Sequence, residues 1–390
     1  MVPFSPSPAD RIQPTLLPAS LHNAGISRKL LRAAGEAEWD METRHQMTAA
    51  VLYGKEDLRV EKVPIPALGD GEALLRVEVA LTCGTDLKVW RRGYHARMIF
   101  PPAIFGHELA GTVELLGPRV REDLRPGMRV VPSNSAPCTQ CSFCRRGKLN
   151  LCEDLLFNNG AYSEYIRIPG RIVENNMLVV PDHVSLRDAA LVEPLACVLR
   201  GIQEIEAHPE DTVVVIGCGP IGLTFIRVLS RTGVRVIALG SRSSQTEAAG
   251  RLGAAAALDV SRITDAVHVV REITEGGYGA DSVIEAVGST TTWQWALQMV
   301  RPGGTVNFFG GCPPGECVQL DPALLHYSEI TVRSTFHHTP DSFREALRMI
   351  ARGDIRAFDF VNGEISLREL PQFFERMKNR RGELKMAVIS

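Results

Sequence analysis

No apolar run in the 390 residues approaches the roughly 18 needed to span a bilayer as a helix, so a membrane-spanning bundle is excluded. Charge of one sign is also lacking: 43 Lys and Arg against 45 Asp and Glu leave a formal net charge of −2. With no basic stripe and no interleaved aromatics, a nucleic-acid surface is not expected. There is no internal repeat, and no hydrophobic leader precedes the first motif, so a reducing, cytoplasmic compartment is expected. What is present is a chain with 45% hydrophobic residues, 34 glycines and 24 prolines, the make-up of a turn-rich globular protein. Its length exceeds one ordinary core, which predicts two domains with a cleft between them and a small-molecule site in that cleft.

Residues 1–46 differ from the rest. Pro3, Pro6, Pro8, Pro14 and Pro18 punctuate a segment of mixed charge without sustained periodicity, which reads as a disordered N-terminal extension. Five acidic residues in it argue against a transit peptide, and Met47, opening the apolar M-T-A-A-V-L-Y-G, is a candidate start of translation.

From Met47 to about Pro181, short β-branched runs are cut by glycine and proline, as in Leu74 to Leu81, Leu109 to Leu116 and Met177 to Val180. This predicts an all-β, loop-rich body. After a helical stretch from Ala189 to Ile205 the rhythm becomes strand then helix, repeated to Phe309, which means parallel strands with crossover helices. Helices from Asp341 to Ala351 and Leu367 to Asn379, then a closing strand near Lys385 to Ile389, are expected to rejoin the first body. The organisation expected is therefore 47–200 and 336–390 around a 201–335 nucleotide-binding domain.

Cys138, Cys141, Cys144 and Cys152 form a C-x2-C-x2-C-x7-C array. Such spacing lets four thiolates converge on one tetrahedral zinc, with two disulfides as the alternative. The neighbouring Arg145, Arg146 and Lys148 would favour thiolate over thiol.

Directly after the apolar run Thr212 to Ile216 comes Gly217-Cys218-Gly219-Pro220-Ile221-Gly222, a G-x-G-x-x-G opening a helix. Between a buried strand and an amphipathic helix this pattern cradles a dinucleotide pyrophosphate. The next strand, Val234 to Leu239, ends in Gly240-Ser241-Arg242 rather than in an acidic residue. Without a carboxylate to repel a 2′-phosphate, and with a hydroxyl and a guanidinium to bind it, NADP(H) is expected over NAD(H). Val287 and Gly288, past the Ser282 to Val287 run, are expected at the same cofactor site.

A second set of metal-ligand residue types lies in Cys83-Gly84-Thr85-Asp86, Gly106-His107-Glu108 and Glu193-Pro194. One thiolate, one imidazole and one carboxylate with an open fourth position make a catalytic rather than a structural zinc site. Residue by residue, each also has a structural explanation: a core thiol, a turn histidine, a helix-start charge.

Taken together, these motifs resemble the zinc-dependent medium-chain dehydrogenase/reductase superfamily, in its sorbitol and threonine dehydrogenase branch, from Met47 to Ser390. The resemblance implies a GroES-like β-rich catalytic domain joined to a Rossmann doubly wound parallel-sheet domain, two zinc ions per chain and a homodimer or homotetramer. It implies Cys83 and His107 as ligands of the catalytic zinc, Glu108 and Glu193 both at that metal, with one of them as third ligand or the two exchanging during turnover, and Thr85 as the hydroxyl of a proton relay. Five residues after the cysteine, where relatives often have histidine, stands Lys88.

By the same resemblance the substrate is a secondary alcohol on a polyol, sugar or cyclitol. A threonine-type amino alcohol dehydrogenase or a non-catalytic NADPH-binding protein are the alternatives. Trp90, Tyr94, Arg97, Phe157, Asn158 and Asn159 are candidates for the pocket wall or a subunit contact. The adjacent His337 and His338 are expected in a polar loop.

Overall fold

The computed structural model describes residues 45–95, 97–378 and 385–390. The extension expected over 1–46 lies outside the described residues except for its end, where Gln46 opens the Gln46–Gly54 strand.

Strand and helix alternate from Thr212 onward because each apolar run buries both faces. Val213, Val214 and Val215 are wholly buried, as two-sided coverage of a parallel strand demands. Six parallel strands result, in the order Ala256–Asp259, Arg235–Gly240, Thr212–Ile216, Ala280–Glu285, Val300–Phe308 and Thr331–Ser334. The order reverses between Thr212–Ile216 and Ala280–Glu285, so a crevice opens at the carboxyl ends of those two strands.

Around this sheet the chain builds a second body from a seven-stranded mixed sheet centred on the antiparallel pair Ala73–Leu81 and Glu108–Leu116. Met386–Ile389 joins it, antiparallel to Ala73–Leu81 through Ala387 and Leu81, and parallel to Gly363–Ser366. The early body is not all-β. Helices Gly84–Arg92 and Gly170–Asn176 interrupt it, the first started by Cys83 as N-cap and stopped by Gly93 in the left-handed region. Helix Val192–Gln203 packs against helix Pro340–Ala351, and residues of both, with those of the Thr212–Ile216 strand, share one apolar core. That shared core fixes the crevice relative to the mixed sheet.

Candidate active site

The register of the central antiparallel pair explains the first cluster. Leu81 pairs with Glu108, so Cys83, two residues beyond one strand, and His107, one residue before the other, emerge side by side at the same end. The donor atoms of Cys83, His107 and Glu108 lie within 4.8 Å of one another. Gly106 makes the approach to His107 possible: its φ is +87°, and a Cβ there would stand 2.7 Å from the Tyr162 ring. Cys83 also caps its helix, its sulfur accepting from Thr85 N–H at 3.4 Å.

Two residues whose roles the sequence did not reveal hold this cluster. Asp86, 1% exposed, places Oδ1 2.9 Å from His107 Nδ1, and the Tyr162 hydroxyl donates to its other oxygen at 2.5 Å. Burial alone would lower the His107 imidazole, but Asp86 and Cys83 outweigh it and hold the group well above its ordinary value. Lys385, 3% exposed, pairs through Nζ with Glu108 Oε2 and donates to Thr82 O at 2.9 Å. Here too burial would lower the ammonium, and Glu108 and Cys83 hold it above its usual value. A lone lysine at the head of the apolar K-M-A-V-I strand was the available signal for it.

Zinc suits this donor set. Glu108 Oε1 is buried with no hydrogen-bond partner, beside a thiol and an imidazole whose Nδ1 is already engaged by Asp86. An orphaned carboxylate oxygen among nitrogen and sulfur donors is what a metal ligand looks like without its metal.

Glu193 stands beside this cluster, close enough to feel the charges of His107, Glu108 and Lys385. It sits in the first turn of helix Val192–Gln203 and groups with His337 and His338, the three donor atoms within 4.8 Å of one another. Its Oε1 accepts from Asn134 Nδ2 at 3.1 Å, and burial pushes its carboxyl up to about 7. The two histidines do lie in an irregular segment among polar partners, but turned inward rather than to solvent. His338 is 2% exposed, its Nε2 2.9 Å from Asn134 Oδ1, and burial drives its imidazole down to about 3.

In the cysteine loop, the sulfurs of Cys138, Cys141, Cys144 and Cys152 lie within 4.8 Å of one another, unbridged by disulfides. Backbone N–H groups, not the neighbouring cations, dominate the electrostatics. Donation from the Glu153 and Cys144 backbones brings the Cys141 thiol down to about 6, whereas burial carries Cys152 up to about 12. Four converging sulfurs with amide donors match a tetrahedral structural zinc.

The glycine turn is built as a phosphate cradle. Gly217 has φ +106°, and a Cβ on Gly222 would lie 1.7 Å from Gly217 O, so the helix can pack onto the turn only without one. Around Gly219, the N-cap of helix Pro220–Leu229, a Cβ would meet nothing within 4 Å, the open side a pyrophosphate needs. Opposite, Glu285 accepts from Val287 N–H at 2.8 Å and Gly288 N–H at 2.9 Å and fixes that loop against the turn. Cys83, Thr85, Lys88, Glu108, the Gly219–Gly222 turn and Val287 all line one cavity of about 320 Å³. Lys88 Nζ lies 3.5 Å from Val287 O.

Strand Arg235–Gly240 stops before Ser241, and Arg242 occupies the N-cap position of helix Ser243–Arg251 without a side-chain cap bond. Arg262 reaches the same place, 3.4 Å from Ser243 Oγ. The carboxylate missing at Gly240 has a neighbour across the strand pair, Asp259, held by Ser261 and Arg262.

Among the pocket candidates, Trp90 is excluded: it is 1% exposed and stacks on Phe374 at 5.8 Å in the core. Tyr94 is half exposed, and the Arg97 guanidinium lies 5.8 Å over the Phe336 ring. The Phe157 ring lies 5.4 Å from His337. Asn158 and Asn159 donate to the backbone carbonyls of Arg167 and Met98.

Comparison with known proteins agrees with this geometry. Residues 69–180 match an alcohol dehydrogenase GroES-like domain and 220–352 a zinc-binding dehydrogenase domain. The erythritol/L-threitol dehydrogenase of Mycolicibacterium smegmatis is 30% identical, over 88% of this chain and 98% of that one. The D-xylulose reductase A of Aspergillus oryzae is 29% identical, over 86% and 95%. A zinc-binding dehydrogenase of Sinorhizobium meliloti 1021, solved with NADP, superposes with a TM-score of 0.80 at 29% identity, covering 89% of this chain and all of that one. With a GroES-like body, a Rossmann sheet and both domain matches in one chain, the protein belongs to the zinc-dependent alcohol dehydrogenases of the medium-chain dehydrogenase/reductase superfamily.

Proposed function

We propose that the chain interconverts a secondary alcohol on a polyol, sugar or cyclitol with its ketone, using NADP(H) in preference to NAD(H). The observation that carries this is the single cavity onto which Cys83, Glu108, Thr85 and the Gly219–Gly222 turn all open. Cys83, His107 and Glu108 would hold a catalytic zinc, and Cys138, Cys141, Cys144 and Cys152 a structural one. When bound, that metal supplies Lewis acidity to the substrate oxygen and the nicotinamide exchanges the hydride.

The chain's own residues do the rest. Asp86 holds the His107 ring so that Nε2 can face the metal position. Thr85, exposed in the cavity two residues from Cys83, accepts the proton leaving the alcohol at its Oγ1 and passes its own hydroxyl proton on to water in the cavity. Lys88, three residues further on the same helix, carries the relay's outer charge where relatives often have histidine. Leu191 and Phe309 wall the cavity against water. Ser241 and Arg242 are the proposed holders of a 2′-phosphate. Polyol chemistry is favoured by the named activities of the erythritol/L-threitol dehydrogenase and the D-xylulose reductase.

The domain division 47–200 with 336–390 around 201–335, and a symmetric oligomer, complete the reading. Strand Thr331–Ser334, at the edge of the parallel sheet, exposes all four residues, Val332 at 43%, a surface that a second copy would cover. Nine unpaired cysteines accord with a reducing, cytoplasmic setting. Zinc-loaded protein assayed on polyols, cyclitols, sugars and L-threonine, with NADP and NAD in parallel, tests the function. Turnover fastest on a polyol with NADP is expected; oxidation of L-threonine alone, or cofactor binding without any turnover, would overturn it.

A further inference from the structure

We propose that His95 is a substrate-binding residue of the dehydrogenase site, its Nε2–H donating to a hydroxyl of the polyol one or more carbons away from the reacting one. The inference rests on the polyol reading above and adds to it a side chain that reads the rest of the substrate. His95 follows helix Gly84–Arg92, on the stretch of chain that runs from Cys83 to His107.

The ring is held as a donor of one fixed kind. Its Nδ1 accepts from two backbone N–H groups, that of Arg97 at 3.2 Å and that of Met98 at 3.1 Å. With that lone pair engaged, the neutral imidazole carries its proton on Nε2, and a second proton on Nδ1 would face two donors. Burial, with the charges of Arg92, His107 and Arg97, also pushes its pKa below the ordinary value, so the group stays neutral. Among the described residues nothing engages Nε2, and the ring is only half-buried, which leaves this N–H for a ligand.

Two sets of contacts tie this segment to the site. Asn159 Nδ2 donates to Met98 O at 2.7 Å, and the next two residues, Gly160 and Ala161, donate through their N–H groups to Gly106 O at 2.8 and 3.1 Å. The segment is thereby fastened to the approach of His107. On its other flank Arg97 lies over the Phe336 ring, which stands 5.7 Å from His337, itself grouped with Glu193. His95 N–H donates to Ile99 O at 3.0 Å, and Ile99 is buried, so the backbone carrying the ring is fixed as well. A donor immobilised before substrate arrives loses little freedom on binding. Such a group separates alcohols that can accept from it from those that cannot.

Two variants of the zinc-loaded full chain separate this role from a structural one. His95→Asn keeps an acceptor for the Arg97 and Met98 N–H groups and removes the outer donor, whereas His95→Gln keeps an amide N–H near the Nε2 position. His95→Asn should raise KM for the best polyol of the panel about three- to tenfold with kcat little changed, the mark of a lost binding contact, while zinc content and NADP(H) affinity match the parent. His95→Gln should recover part of that loss. An unchanged KM in His95→Asn, a loss confined to kcat, or a loss that His95→Gln does not recover would each overturn the assignment. Histidine ¹⁵N–¹H spectra of the parent give a second measure if a variant fails to fold. With NADPH bound, so that the polyol cannot be oxidised, the His95 signals should show a bare Nδ1 and a protonated Nε2 that shifts when polyol is added. A proton on Nδ1, or no shift, would overturn it too. That readout needs no turnover, so a failure of the polyol reading itself registers separately, in the parent's assay.

Discussion

Asp86 and His107 meet through Oδ1 and Nδ1 at 2.9 Å, 21 residues apart in sequence and both sealed from solvent. This contact sets which nitrogen of His107 is free and keeps the ring from turning. Replacing Asp86 by Asn retains the shape but removes the charge, and zinc affinity at the Cys83 centre should fall about 10- to 100-fold. Competition with a chromophoric chelator measures it, and Asp86→Glu should recover part of the loss. Unchanged zinc retention in Asp86→Asn would show that Asp86 does not position the ligand.

Removing one sulfur from the cysteine loop gives a different signature. Cys141→Ser should release one zinc per chain while leaving the Cys83 centre loaded, and should lower the thermal midpoint or weaken assembly. Metal analysis together with sizing chromatography checks this. Normal zinc content and normal oligomer size would refute a structural metal there.

Cofactor choice rests on the end of strand Arg235–Gly240. Arg242→Ala should reduce kcat/KM for NADP about 10- to 100-fold while barely altering that for NAD, the loss of one charge-assisted bond to phosphate. Gly240→Asp should move preference toward NAD, although a Cβ there would lie 3.2 Å from Thr246 Cγ2 and 3.3 Å from Cys218, so the strand end must give slightly. A constant NADP to NAD ratio in both variants would place 2′-phosphate recognition elsewhere.

Acid should loosen the parallel sheet at a definable point. Asp281 accepts from Thr212 N–H at 2.7 Å and from Arg301 Nε at 2.7 Å. Burial would raise its pKa, but these donors outweigh it and hold it below the ordinary 3.8. A depressed folded pKa contributes stability above the unfolded value and loses it as pH falls through the folded one. Asp281→Asn should therefore be about 1 kcal/mol less stable than the parent at pH 7, with the gap closing as pH drops below about 4. Denaturant melts at both pH values read this directly, and a gap independent of pH would exclude the carboxylate charge as its cause.

Local rules carried much of the fold. The switch from short β-branched runs to alternating strand and helix is visible as hydrophobic period, and Thr212–Ile216 coincides with its predicted run residue for residue. Strand Ala256–Asp259 was not legible, because A-A-L-D favours helix in isolation and becomes a strand only by pairing Ala256 with Ile237. Helix Gly84–Arg92 was lost in the β-rich text around it. In the site, Cys83, His107 and Glu108 stand out by residue type, since metal donors are rare and motif-bound. Asp86, Lys385 and His338 do not, because their roles come from contacts 21, 277 and 204 residues away that no local pattern encodes.

Lys385 gives the site an order of assembly in time. A nascent polypeptide that has already made Cys83, His107 and Glu108 still lacks the ammonium that pairs with Glu108 and ties down Thr82 O. Until the ribosome has passed residue 385 and the Met386–Ile389 strand has docked beside Ala73–Leu81, that carboxylate has no counter-charge and has reason to remain in water. Closure of the reactive centre thus waits for a residue made 277 positions after the carboxylate it neutralises, and a polypeptide broken off before Lys385 would leave Glu108 without its counter-charge.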